Sequence, residues 1–238
     1  MKPGLNLSAD SREELLQVLQ QLEIRVGSVI GRTSQHRERY VMARFLATMA
    51  SLNLLRYPLK LVHGDTPDFV LQIQSERIGI ECVEAVAMEL YAIRAIRERR
   101  YPEAWRSIPT LKAGENLLTA VEKDQFASGE RREAPLQGNM PEQMWADAME
   151  HFIRNKTTKL RAGNYAGSPK TWLLIQDEYS AVINHDEELE EAMALCLPRI
   201  KPFFDVPCFD SIFILNRGQL LTLERNSVRR QPLCDLWN

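Results

Sequence analysis

Apolar positions along this chain change period several times, and each change predicts an element. Leu15, Leu16, Val18, Leu19 and Leu22 recur at helical spacing behind Ser11-Arg12-Glu13-Glu14. That quartet reads as a capping box, in which the serine hydroxyl accepts the third amide and the glutamate reaches back to the cap. Gly27 or Gly31 is the expected stop. A second stripe, Tyr40, Val41, Phe45, Leu46, Met49 and Leu52, predicts a helix over about residues 35–55.

From Pro58 the period shortens. Residues 59–63 read as a strand and Gly64-Asp65-Thr66-Pro67 as turn chemistry. Residues 68–74 and 77–83 alternate apolar and polar positions, which predicts a β-hairpin about Ser75-Glu76. Helical spacing returns from Ala85 to Arg100 and stops before Pro102. Residues 101–140 carry short helical hints near Leu111 to Val121 and a polar loop over Ser128–Glu133, and read as an insertion. Pro141 suits the first turn of a helix running to Arg161. Thr171–Gln176 is an apolar strand ending in Asp177-Glu178, and residues 187–197 are helical. Runs 211–215 and 219–223 flank Asn216-Arg217-Gly218, a second hairpin. This order predicts an α/β chain, a mixed β-sheet flanked by helices. It divides into an N-terminal helical extension (1–34), a core (35–176) with its insertion, and a C-terminal helix and hairpin (177–238).

A length of 238 residues is enough for one domain with a full core. A net charge of -2 excludes a protein coated in positive charge, but leaves room for a local basic face on nucleic acid. Such clusters are Arg94, Arg97, Arg99, Arg100 and Arg106, then Lys156, Lys159 and Arg161, then Arg225, Arg229 and Arg230. Cys82, Cys196, Cys208 and Cys234 form no C-x-x-C pair, which argues against structural zinc and fits a reducing cytoplasm. Met1–Asn6 lacks the apolar core of a signal peptide, and no run of about 18 apolar residues offers a membrane span. The four tryptophans, Trp105, Trp145, Trp172 and Trp237, are read as core or interface anchors. Nothing fixes the oligomeric state, and a homodimer stays open.

Two acidic residues carry the candidate chemistry. Glu81 projects from a strand with apolar neighbours on both faces, an expensive place for a carboxylate. Asp68 opens the neighbouring strand just after Pro67. Carboxylates on adjacent strands can converge on a divalent cation such as magnesium or manganese, which activates water and stabilises charge on a phosphate. Gln74 and Glu38 are weaker candidates, read as solvated residues.

Pro67-Asp68-Phe69 followed by Ile78-Gly79-Ile80-Glu81-Cys82-Val83-Glu84 resembles the signature of the PD-(D/E)xK nuclease superfamily, the restriction-endonuclease-like proteins. The resemblance spans about residues 35–100 and 145–176. It implies a restriction-endonuclease-like core, metal ligation by Asp68 and Glu81, and hydrolysis of phosphodiester bonds, DNA ahead of RNA. The family's lysine falls on Val83, which cannot position or activate water. Lys156 and Lys159, three apart on one helix, are the candidates for a displaced cation. Glu84 alternates away from Glu81 and joins the metal ligands only if the strand bulges or ends there. Val83 favours a rival reading: the same fold without catalysis, binding nucleic acid or protein.

Overall fold

The computed structural model describes residues 4–24, 33–104, 109, 111–114, 118–131, 136–163, 168–179, 183, 185–205 and 207–237. Its frame is a mixed eight-stranded sheet in which spatial order follows chain order. The strands are β1 (Leu7–Ala9), β2 (Leu59–His63), β3 (Phe69–Ile73), β4 (Glu76–Ala85), β5 (Lys170–Asp177), β6 (Ser211–Asn216), β7 (Gln219–Glu224) and β8 (Ser227–Pro232). Neighbours are antiparallel except β4–β5 and β5–β6, which are parallel. Parallel pairs need crossovers. Helices α3 (Met88–Arg100), α4 (Ala120–Ser128) and α5 (Met140–Arg161) lie in the first, and α6 (Asp186–Ile200), followed by a 3₁₀ turn, in the second. Helices α1 (Arg12–Gln20) and α2 (Ser34–Ser51) precede β2.

Alternation along β4 and β5 divides the core between the two faces. Ile78, Ile80, Cys82 and Leu174 join Phe45, Leu46 and Met42 of α2 and Leu15 and Leu19 of α1. Leu173, Ile175, Ile212 and Ile214 join Trp145, Met149 and Ile153 of α5 and Leu189, Ala192 and Cys196 of α6. Burying each such aliphatic side chain contributes about 1.5–3 kcal/mol. Gly79, on the α5 side of β4, has Pro67 and Ser168 so close that a Cβ there would lie 2.8 Å from the serine hydroxyl. Trp145 is fully buried, and Trp172 packs edge-on against Phe45 and Phe213, so both are core anchors. Trp237 is half-buried against the α2 side, and Trp105 lies outside the described residues.

Several boundaries differ from the sequence reading. Ser11 caps α1, but Glu14 accepts from the Asp10 amide, one residue before the cap. Helix α1 ends at Gln20, while Gly27 and Gly31 fall outside the described residues. The two-residue hairpin turn is Gln74-Ser75, with Gln74 at φ 55°. Strand β4 runs on to Ala85 because pairing with β5 continues to Ala85↔Asp177, so α3 starts at Met88. The insertion's helix is α4, later than the hints near Leu111, and Gly129 closes it at φ 82°. Strands β1 and β8 were not foreseen.

One buried carboxylate joins three parts of the α5 side. Asp177 ends β5 and accepts from Trp145 Nε1 of α5 (2.6 Å), from Asn216 Nδ2 of β6 and from the Tyr179 amide (2.8 Å). Burial nonetheless pushes its carboxyl up to about 6, against the pull of these donors.

Candidate active site

Strands β3 and β4 place the two candidate carboxylates. Phe69 pairs with Ile80, the last pair of the β3–β4 ladder, so Asp68 lies at the end of that ladder, next to the Glu81-Cys82 stretch of β4, and the Glu81 charge acts on it. The backbone at Asp68 still follows β2, because its carbonyl accepts from Gly64 N at 2.8 Å. Its side chain accepts from the Cys82 amide at 2.7 Å, a bond that fixes the carboxylate against β4.

Glu81 faces α5, where Lys156 Nζ lies 2.5 Å from its Oε1. Both side chains are nearly buried, 15% and 11% exposed for Lys156 and Glu81, so the pair is much less screened than a surface bridge. The helix explains why Lys156 is the lysine that arrives: with Met149 and Ile153 it completes an i, i+4, i+7 row on the buried face. Lys159 falls off that row and is exposed, so the structure does not bring it to the pair.

Asp68 has an unusual electrostatic setting. Burial first, then the neighbouring Glu81 and Glu38 charges, push its carboxyl up to about 7, while the Cys82 amide and Lys156 pull the other way. The Cys82 thiol is pushed well above its ordinary range, by burial first and Asp68 next.

Glu38 is the residue that the sequence reading misplaced. It is not a freely solvated residue: Glu38 Oε2 lies 3.0 Å from His63 Nε2, and the side chain is 21% exposed. The Leu5 amide donates to His63 Nδ1, which leaves the ring hydrogen on Nε2, directed at Glu38. His63 is further fixed by stacking on Phe69, with ring centroids 4.3 Å apart, and by Asn6 Oδ1 accepting its amide. The N-terminal segment thus holds His63, which holds Glu38, whose charge acts on Asp68. The signal was present: Glu38 is three residues before Val41 and seven before Phe45, on the buried row of α2. Gln74, by contrast, is a turn residue whose amide donates to Tyr57 O.

Glu84 does not join the pair. The β4–β5 register runs unbroken through it, so it stays on the opposite face from Glu81. There it meets Arg37 Nε of α2 at 2.9 Å, and burial together with Glu84 holds the Tyr91 hydroxyl above its usual range. The bulge that would have turned Glu84 toward Glu81 is absent.

At this end of β4 a cavity of about 410 Å³ opens, lined in part by Arg37, Glu38, Glu84, Tyr91, His151 and Phe152. The basic clusters are largely matched internally. Arg94 pairs with Glu178, Arg100 with Asp124, Arg225 with Asp205, Arg229 with Glu224, and Arg230 with Asp186 and Glu190. Arg97 and Arg161 donate to backbone carbonyls, Arg99 is exposed, and Arg106 lies outside the described residues.

Among the described residues no three His, Cys, Asp or Glu side chains form a metal-binding group. A cation at this site would draw on the Asp68–Glu81 pair and on water. That donor set suits magnesium, which takes one or two carboxylates and keeps several waters. Burial first and the Glu81 charge next raise the Asp68 carboxyl, and a bound cation would offset both by favouring its charged form. Among the described residues no helix is long and apolar enough to cross a membrane. No family model matches the chain, and neither does any curated protein or any solved structure.

Proposed function

We propose that the protein is a metal-dependent phosphodiesterase of the PD-(D/E)xK type, acting on nucleic acid, DNA ahead of RNA. The observation that carries the reading is Lys156 at 2.5 Å from Glu81, beside Asp68: two strand carboxylates with a lysine recruited from a helix. Asp68 and Glu81 would hold a magnesium or manganese ion, which when bound polarises a phosphate oxygen and lowers the pKa of a coordinated water. Lys156 supplies the cation that Val83 cannot, and its ammonium stands where negative charge develops on a phosphate. Glu38, fixed by His63, keeps a further acceptor close to Asp68 for a water proton.

The test is a pair of measurements. Millimolar manganese is expected to raise the melting temperature, and Asp68→Ala to abolish the rise. Plasmid nicking with manganese is expected from the wild type and not from Glu81→Ala. An unchanged melting curve together with an intact plasmid rejects the hydrolase. The second reading, a scaffold without catalysis, has an observation of its own: Lys156 pairs directly with Glu81 and neutralises its charge. It predicts nucleic-acid binding that neither manganese nor Glu81→Ala alters.

A further inference from the structure

The cavity beside the carboxylates has no part in that reading. At about 410 Å³ it falls within the roughly 300–1,000 Å³ of small-molecule sites. It opens where Cys82, Val83 and Glu84 follow Glu81 on β4, at the carboxyl end of the strand. Phe152 on its wall is four residues before Lys156, so the two share a face of α5 about one turn, ~5.4 Å, apart. Glu38 belongs both to its wall and to the surroundings of Asp68. A group held against Phe152 therefore lies about one helical turn, ~5.4 Å along α5, from anything bound at Lys156.

The lining selects the kind of group. Phe152 and His151 supply flat rings, Tyr91 carries the Arg37 guanidinium over its own ring, and the Arg37–Glu84 pair sets a donor beside an acceptor. A phosphate is disfavoured, because Glu38 and Glu84 both line the space and Arg37 is already matched by Glu84. A flat, uncharged group with donors and acceptors on its edge meets every one of these requirements, and a nucleobase is such a group. A base inside a duplex has its edge occupied and its faces stacked, so it enters only when unpaired. Resting on the phosphodiesterase reading, we infer that this cavity takes one unpaired nucleobase, which makes single-stranded nucleic acid the substrate.

The experiment measures binding of a short labelled single-stranded oligonucleotide to the full chain in EDTA, by fluorescence anisotropy. An abasic strand of the same length, with the same phosphates, is the reference. The intact strand is expected to bind about tenfold more tightly, the size of one stacked base. Phe152→Ala should erase that difference. So should Met88→Trp, which fills the cavity from a rim residue that is 68% exposed and therefore leaves the core alone. If Phe152→Ala does not fold, Met88→Trp decides. Equal affinities for the two strands, or a difference that the variants leave intact, overturn the inference. Cleavage of a single-stranded circular DNA with manganese separates the two ideas. Cleavage without base-dependent binding removes the cavity's role and keeps the hydrolase. Base-dependent, variant-sensitive binding without cleavage of that strand keeps the cavity's role and removes the hydrolase.

Discussion

Replacing Asp68 by asparagine should make the metal-free protein more stable, and only at the pH values where the aspartate is charged. The carboxyl moves from an ordinary 3.8 to about 7 in the fold, through burial first and Glu81 second. A rise of that size corresponds to about 4 kcal/mol of differential stability. Because the folded value is the higher one, protonation favours the fold. The favourable contribution is complete below about pH 4 and is lost as pH rises through 7. Asparagine carries no charge and keeps an oxygen for the Cys82 amide, so it removes the penalty without orphaning that donor. Its own amide also needs partners, which returns part of the gain, and about 2 kcal/mol at pH 8 is the expected net effect. That is about 4–8 °C in melting temperature for a chain of this size. Urea titrations of wild type and variant in EDTA at pH 5 and pH 8 measure it, and the difference between the proteins cancels the titrating groups that do not interact with Asp68. A gap that is the same at both pH values, or a variant less stable at pH 8, refutes the electrostatic account of this site.

Lys156→Met should cost about 3 kcal/mol in urea unfolding, because it leaves the Glu81 carboxylate uncompensated in a nearly closed site. Adding Glu81→Gln should recover most of that loss, and two additive losses would show that the pair does not interact. His63→Phe keeps the stack on Phe69 but orphans the Leu5 amide and removes the donor to Glu38. A loss of about 1–3 kcal/mol is expected, partly restored by His63→Gln, and a loss that the glutamine does not reduce refutes the hydrogen-bond argument. Trp145→Phe removes one donor from Asp177, whose carboxyl is at about 6. The folded value then rises further, so the deficit should grow by about 1–3 kcal/mol as pH rises from 5 to 8, above any constant packing loss. A deficit that does not change with pH removes Trp145 from the control of that charge.

The fold was legible wherever burial imposes a period. Strand β3 alternates because one residue in two faces a helix layer, β4 is apolar at most central positions because both of its faces are covered from Ile78 to Cys82, and Arg217-Gly218 announces the second hairpin. Helices α2, α5 and α6 show through their apolar rows, although no rule of spacing fixes their ends. What could not be read was paired without being buried on both sides. Strand β1 has three residues, too few for a period. Strand β8 is Ser-Val-Arg-Arg-Gln-Pro at the open edge of the sheet, where charged side chains and a proline suit a strand with a free side. Its Arg229 and Arg230 read as a basic patch, and in the fold they neutralise Glu224, Asp186 and Glu190.

The candidate site was half legible, for a reason that applies beyond these residues. Asp68 and Glu81 stand out because a carboxylate among apolar strand residues is costly, and the cost is visible without coordinates. The helical partners carry the same signal in another period. Lys156 lies on the row of Met149 and Ile153, Lys159 does not, and Glu38 lies on the row of Val41 and Phe45. A charge on a buried row must find a partner, so these two residues had to point into the protein, whereas Lys159 had no such obligation. Nothing in the sequence says that the two rows meet at the same end of β4, because that depends on how α2 and α5 sit on opposite faces of one sheet. Glu84 shows the converse. A reading by motif drew it toward Glu81, but the parallel pairing of β4 with β5 holds the strand regular to Ala85 and turns Glu84 to Arg37. Where a motif and a strand register disagree about the direction of a side chain, the register decides, since breaking it would forfeit ladder hydrogen bonds along two buried strands.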